Sequence, residues 1–214
     1  MDGSSPTGQT KATRGDWRNA ARDVLVSEGV AEVKVLALSH RLGVSRSSFY
    51  WYFKNRQDLL DDLLAGWEAR NTRTLEDRCA APADTITGAA CNFFTCFVDP
   101  QLFDTGLDFA VREWARRDGA VRERIDAADA KRIKAVTSMF IRHGYDHADA
   151  DTRARILYFM QLGYHALDVR EDIETRLSRV AGYLRGFTGV EPNMRELSAF
   201  QAIARTANDA PQNF

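Results

Sequence analysis

Long apolar runs are missing from this sequence, and their absence excludes a class at once. No stretch approaches the ~18 consecutive apolar residues a membrane-spanning helix needs. The first residues also lack the apolar core of a secretory signal. The expectation is a cytoplasmic chain with no membrane partner. Proline is scarce, five in 214 residues, which leaves long helical patterns uninterrupted and argues for an all-α protein. Cysteine is scarcer still. Cys79, Cys91 and Cys96 are odd in number and form no Cys-x-x-Cys pair, and a five-residue spacing points Cys91 and Cys96 apart on a helix. They read as reduced thiols, not as a disulfide framework.

Catalytic signatures are absent too. There is no Gly-x-Gly-x-x-Gly, no P-loop, no His-Glu-x-x-His and no Gly-x-Ser-x-Gly. His40, His143, His147 and His165 are scattered, and Gly144 separates the one pair at four-residue spacing. Asp146, Asp149 and Asp151 lack the glycine and terminal glutamate of a calcium loop and read as a helix cap. Glu113 beside Trp114 reads as a surface ion pair and not as a buried acid. The expectation is a non-enzyme with no catalytic residue, no metal and no cofactor.

What the sequence does contain is concentrated in residues 35–56, VLALSHRLGVSRSSFYWYFKNR. Val35, Leu38 and Leu42 share one face of a short helix. Gly43 can take the left-handed conformation that ends it. Ser45 suits the N-cap of a second helix, Arg46 to Phe53. Two short helices around a three-residue glycine turn spell a helix-turn-helix. The second helix carries Arg46, Ser47 and Ser48 in its first turn, able to bond base edges or phosphates. Tyr50, Trp51 and Tyr52 follow, with hydroxyls that suit phosphate oxygens. Asn55 with Asp58 resembles a capping box for a third helix. Lys54 and Arg56 flank Asn55, so the start of that helix would clamp a phosphate. With Lys34, these nine residues are the expected DNA contacts: Lys34, Arg46, Ser47, Ser48, Tyr50, Trp51, Tyr52, Lys54 and Arg56.

The run Gly43-Val44-Ser45, then Phe49 to Arg56, then Asp58-Leu59-Leu60 resembles the DNA-binding domain of TetR-family transcriptional regulators. The resemblance spans Thr13 to about Trp67, a quarter of the chain. It departs from the family pattern at Val33-Lys34, where a Thr cap is usual, at Leu38-Ser39 in place of Ile-Ala, and at Ser47, often Gly or Pro. These changes bear on which operator is read. The resemblance implies a double-stranded DNA operator as partner, a homodimer and a small-molecule ligand.

Charge agrees with that end. Residues 1–56 hold nine Lys and Arg against five Asp and Glu, a local excess of +4 in a chain whose net charge is −1. Three regions are expected: a disordered Gly/Ser/Thr-rich arm at 1–12, a helix-turn-helix domain at 13–56 with a linking helix over 55–77, and a helical regulatory and dimerisation domain at 78–214. In the first domain Thr13 and Asp16 make a capping box, and Trp17, Ala20, Ala21, Val24 and Leu25 form the apolar stripe of a scaffold helix. The body predicts helices over 86–98, 107–117, 120–143, 150–169 and 172–187, with Gly144 as a stop.

Within the body, Ile173, Leu177, Val180 and Leu184 step by four and three, the rhythm of a narrow helix–helix seam. Ile156, Met160, Gly163 and Leu167 repeat it in the helix before. Together they predict a four-helix dimer interface. A twofold dimer would read a near-palindrome whose half-sites lie ~34–36 Å or a multiple apart. Phe93, Phe97, Trp114 and Tyr158 supply aromatic bulk for a cavity that takes a small apolar or amphipathic ligand. The expected function is a ligand-responsive, sequence-specific regulator, a repressor released from its operator by the ligand. Two other classes fit less of the sequence: a helix-turn-helix regulator controlled by a protein partner, and an all-α enzyme or adaptor with a vestigial DNA-binding end.

Overall fold

The computed structural model describes residues 12–167 and 169–209, and among these every regular element is helical. The expected arm lies outside the described residues except for Ala12, which is buried in the first core. Helix α1 (Arg14–Glu28) opens on the expected capping box: Thr13 Oγ1 accepts from the Asp16 N–H at 3.2 Å and Asp16 Oδ2 from the Thr13 N–H at 2.7 Å. Helix α2 (Val35–Leu42) ends at Gly43, whose φ of 64° is the left-handed turn the motif needs.

The expected second helix of the motif is shorter and tighter. Arg46–Trp51 forms a 3₁₀ turn, and Ser45 sits at its N-cap in extended backbone without capping through its side chain. The Ser45 hydroxyl instead meets Ser47 Oγ at 2.9 Å.

The linking helix is real but not uniform. Helix α3 (Arg56–Trp67) passes through one π turn, Glu68–Thr72, into α4 (Arg73–Ala80). A wide turn carries an extra residue around the axis and re-aims its side chains. Here it drives Asn71 and Thr72 inward, where both are buried.

The body contains α5 (Ile86–Val98), α6 (Thr105–Ala115), α7 (Gly119–Arg142), α8 (His147–Ala166), α9 (Ile173–Thr188) and α10 (Met194–Asp209). Helices α5 to α9 each start on a Thr or Asp whose side chain accepts a first-turn N–H: Thr85, Asp104, Asp118, Asp146 and Asp172. Asp146 therefore caps, as its spacing suggested. Helix α10 was not expected. Its signals are Asn193, which accepts from the Arg195 N–H at 2.9 Å, and the buried Leu197, Phe200 and Ala204 that lay it on α5. At that contact a Cβ on Gly88 would lie 2.4 Å from the Glu196 carboxylate, which would have to swing away from Thr85 and Thr87 to make room.

Apolar side chains gather into two cores. The first holds α1, α2, α3 and the 3₁₀ turn, and also α6 and the first half of α7 through Leu107, Val111, Trp114, Val121, Ile125 and Ala128. The second holds the end of α4, α5, the second half of α7, α8, α9 and α10. The packing boundary therefore crosses α7 between Ala128 and Val136, whereas the boundary expected from sequence, at residue 78, falls inside α4. The three thiols lie in the second core, free and buried, and burial pushes Cys91 and Cys96 up to about 12.

Candidate nucleic-acid interface, polar seam and cavity

The 3₁₀ turn stands on an aromatic base. Phe49 and Phe53 are fully buried, Phe49 meets Trp17 edge-on with ring centroids 5.2 Å apart, and Phe53 lies 5.4 Å from Phe49. Arg14 closes the back, its guanidinium 4.8 Å over Phe53 and its Nη2 2.8 Å from Asp62. With this row fixed inward, the other side of the turn must face out. Arg46, Ser47, Tyr50 and Lys54 are exposed, and Trp51 is 69% exposed, unusual for tryptophan. Ser48 and Tyr52 are half-buried, with Ser48 Oγ donating to the Ser45 carbonyl at 2.8 Å. Lys34 is exposed at the start of α2 and paired with Glu32 at 2.9 Å.

Arg56 differs from its sequence expectation. It is half-buried, and its Nε donates to the Val33 carbonyl at 2.6 Å while Nη2 donates to the Val30 carbonyl. Its guanidinium thus ties the start of α3 to the loop before α2, a holding contact. The cap at α3 also differs from a reciprocal box. Asn55 Oδ1 accepts from the Asp58 N–H at 3.0 Å, but Asp58 accepts from the Lys54 N–H at 2.9 Å.

Between the two cores lies a buried polar seam that sequence reading missed. Asp108 on α6 is fully buried. Its Oδ1 accepts from Trp67 Nε1 at 2.8 Å, Arg132 Nη1 at 2.9 Å and Asn71 Nδ2 at 3.4 Å, and its Oδ2 accepts from Arg112 Nε at 2.9 Å. Arg132 on α7, also fully buried, donates through Nε to Thr72 Oγ1 at 3.0 Å. Arg112 forks onto Asp129 at 2.9 and 2.7 Å, and the Tyr158 hydroxyl of α8 donates to Asp129 at 2.7 Å. Two carboxylates thus face two guanidiniums in a charge-balanced cluster. Burial pushes the Asp108 carboxyl up, but Arg132 and Arg112 outweigh it and hold it below the usual range. The legible signal is a charge on an apolar stripe: Arg132 falls four residues from both Ala128 and Val136. Glu113, weighed as a buried acid, is exposed and pairs with Arg116 at 3.2 Å.

Further ion pairs fasten α1 and the π turn to the start of α6 and to α7. Arg22 of α1 donates from Nε and Nη2 to Asp104, each at 2.8 Å. Glu68 in the π turn takes Arg124 at 2.8 and 3.1 Å.

The second core contains a cavity of about 60 Å³ between α5, α8, α9 and α10. Of the four aromatics expected to line a cavity, Phe97 does. Phe93 is packed in the core, Trp114 belongs to the first core and bonds Asp118 at 3.0 Å, and Tyr158 belongs to the polar seam. The walls instead include Met160, Ile173, Leu177 and Val180. Those four are expected from sequence at a dimer interface, and the structure turns them toward the subunit's own interior. The α9 seam of Leu177, Val180 and Leu184 is buried in the subunit's own core, because its narrow stripe faces α5 and α10. Ile173 and Met160 are half-buried at the cavity. The α8 residues behave otherwise. Ile156 is 54% and Leu167 78% exposed, Gly163 has open space where a Cβ would stand, and Phe159, not anticipated, is 50% exposed beside them.

Behind the cavity, His165 lies 5.7 Å from Phe97, and Gln161 Nε2 reaches its Nε2 at 2.7 Å, the amide donating to a neutral ring. Burial, aided by the Arg176 charge, lowers His165 to about 4. Among the described residues no group of three or more His, Cys, Asp or Glu is placed to hold a metal ion, and no helix is long and apolar enough to cross a membrane.

Residues 18–63 match the family model described as bacterial regulatory proteins, tetR family. Solved structures of similar fold include that of Mycobacterium smegmatis AmtR, at 19% identity and a TM-score of 0.60, covering 92% of this chain and 95% of that one. Salmonella enterica GusR aligns at 14% identity and a TM-score of 0.56 over 92% and 98% of the two chains. The fatty acid degradation regulator FadR of Bacillus halodurans aligns at 13% identity and a TM-score of 0.54 over 95% and 99%. No curated protein sequence matches the chain.

Proposed function

We propose, from a TetR-type DNA-binding domain joined to a helical body of TetR-family fold, that this chain is a transcriptional repressor released from a near-palindromic operator by a small molecule. One observation carries the reading: an exposed row of Arg46, Ser47, Tyr50, Trp51 and Lys54 stands on a fully packed aromatic base. A surface held this rigidly, with cationic, hydroxyl and aromatic groups presented together, suits a duplex. Arg46 and Ser47 read base edges in the major groove, and Tyr50 and Lys54 hold phosphates.

The ligand enters the second core and acts through α8. That helix supplies Met160, Gln161 and Tyr164 to the cavity and Tyr158 to the seam. The seam in turn grips Trp67, Asn71 and Thr72 of the linking helix. Widening the cavity displaces α8, shifts the seam and changes the separation of two recognition turns in a dimer. The dimer forms through the exposed Ile156, Phe159 and Leu167 of α8, with the half-buried Gly163 among them. Leu167→Lys is expected to give monomers by sedimentation with the fold intact.

The test is binding to DNA from just upstream of its own gene, against scrambled DNA, at two salt concentrations. Selective binding that persists at the higher salt supports a specific regulator. Equal binding to both, lost as salt rises, leaves only the electrostatic contribution and sinks the reading. Coupling between sites is reciprocal, so operator must weaken ligand binding by the factor by which ligand weakens operator binding.

A further inference from the structure

Most of the cavity wall is apolar, but one end is not. Gln161, Tyr164, Glu171 and Arg176 stand there. The acidic groups nearby are already committed. Glu171 pairs with Arg179 and accepts from the Tyr164 hydroxyl at 3.2 Å; Asp172 caps α9; Glu174 takes Arg205 at 2.7 and 2.9 Å. Arg176 is different. Among the described residues no carboxylate pairs with it, and its guanidinium lies 5.0 Å over the Tyr164 ring. A cation held against an aromatic face keeps its N–H edges available, and a guanidinium presents them in the fork that fits a carboxylate. Glu171 also lines the cavity and feels the Arg176 charge, but its ion pair is with Arg179, so two guanidiniums stand against this one carboxylate.

We infer that this cavity takes a short-chain monocarboxylate, with the acyl tail among Phe94, Phe97, Leu177, Val180 and Phe200 and the carboxylate on Arg176. The inference rests on the effector-site reading above and names its ligand class. Tyr164 fixes the guanidinium plane, and the Gln161 amide offers a further polar partner. The volume sets the tail. About 60 Å³ is roughly two water volumes, so a few carbons fit as the cavity stands. Met160, the most adaptable of the wall residues, gives way for a longer chain. An amine of equal length meets a like charge at the mouth, and an alcohol forgoes the ion pair. The site therefore discriminates by charge as well as by shape.

The experiment uses the full chain without DNA. Hexanoate, hexanol and hexylamine are compared by calorimetric titration and by thermal shift, since a ligand of the native state raises the melting temperature. Hexanoate is expected to bind at least tenfold more tightly than hexanol, with hexylamine weakest. Arg176→Gln is expected to erase the preference for hexanoate while hexanol affinity stays unchanged, and Arg176→Lys to keep part of it. Equal affinity of the three probes, a preference for the amine, no binding by any of them, or a preference that survives Arg176→Gln would each overturn the proposal. The regulatory reading is judged separately, on operator binding with no ligand present. Hexanoate binding that leaves operator affinity unchanged would confirm the ligand class and remove only the coupling.

Discussion

The two cores of this chain are built to different standards of fit. The first is sealed by aromatic edges and leucines, Trp17, Phe49, Phe53, Leu59 and Leu60, each at most 1% exposed. The second is richer in phenylalanine and sulfur, yet it keeps a cavity with Gln161, Tyr164, Glu171 and Arg176 in its wall. Packing at crystal-like density holds one arrangement, while a void lined by Met and Phe tolerates several. The contrast suits the repressor proposed above, which needs a rigid DNA-contacting surface and a body that yields to a ligand. The polar seam lies between them, and each prediction below tests whether it and its neighbours keep the two regions distinct yet coupled.

The largest effect belongs to the seam. Arg132→Met strips Asp108 of one of its two guanidinium partners and is expected to cost about 3 kcal/mol, because the buried carboxylate keeps only Arg112 to offset its charge. Denaturant unfolding measures it. Adding Asp108→Leu removes that under-compensated charge and leaves Arg112 to Asp129, and the double variant should recover part of the loss while weakening any ligand effect on DNA. If Arg132→Met unfolds within 1 kcal/mol of the parent, the seam does not join the cores energetically.

Next comes the division of labour among arginines at the first core. Arg56→Ala loses two charge-assisted bonds to the Val30 and Val33 carbonyls and should destabilise by about 1.5–3 kcal/mol. Arg46 is exposed, so Arg46→Ala should leave stability within about 0.5 kcal/mol and relax sequence preference at its contacted base. Thermal unfolding and operator titration on the same two variants decide the matter. Equal loss of stability in both would mean that Arg56 holds nothing.

How much of this was legible follows from the range of the interactions. The first core was readable because its determinants are local. Thr13 and Asp16 cap, Gly43 turns, and Phe49 and Phe53 stand four apart, all within a stretch whose pattern is constrained by a single job. The 3₁₀ form of Arg46–Trp51 was not, since α and 3₁₀ turns differ by one residue in hydrogen-bond reach and both fit that stretch. The α9 stripe is apolar, as its spacing implies, but it is covered within the subunit and not by a second chain. Periodicity says that a face is covered but not by which chain, and α10, the helix that helps cover it, went unrecognised. The seam was hidden for a deeper reason. Trp67, Asp108, Arg132 and Tyr158 meet only through tertiary packing, and a lone charge on a stripe is ordinarily a surface residue that snorkels.

The smallest effect tests the second core through acid. Neutral His165 accepts from Gln161, and protonation would remove that acceptor within a site already facing Arg176. Its folded pKa of about 4 lies below the ordinary value of 6.5, so between those limits the unfolded chain binds the extra proton. The contribution is therefore complete above about pH 6.5 and is lost progressively as pH falls toward 4. Between neutral pH and 5.5 the loss is on the order of 1 kcal/mol. His165→Gln keeps an amide in place and does not titrate. The difference in unfolding free energy between parent and variant should then rise with pH across this window, whereas carboxylates common to both cancel. A flat difference would place His165 in contact with water and free to charge, and the second core would then admit water on the Phe97 side.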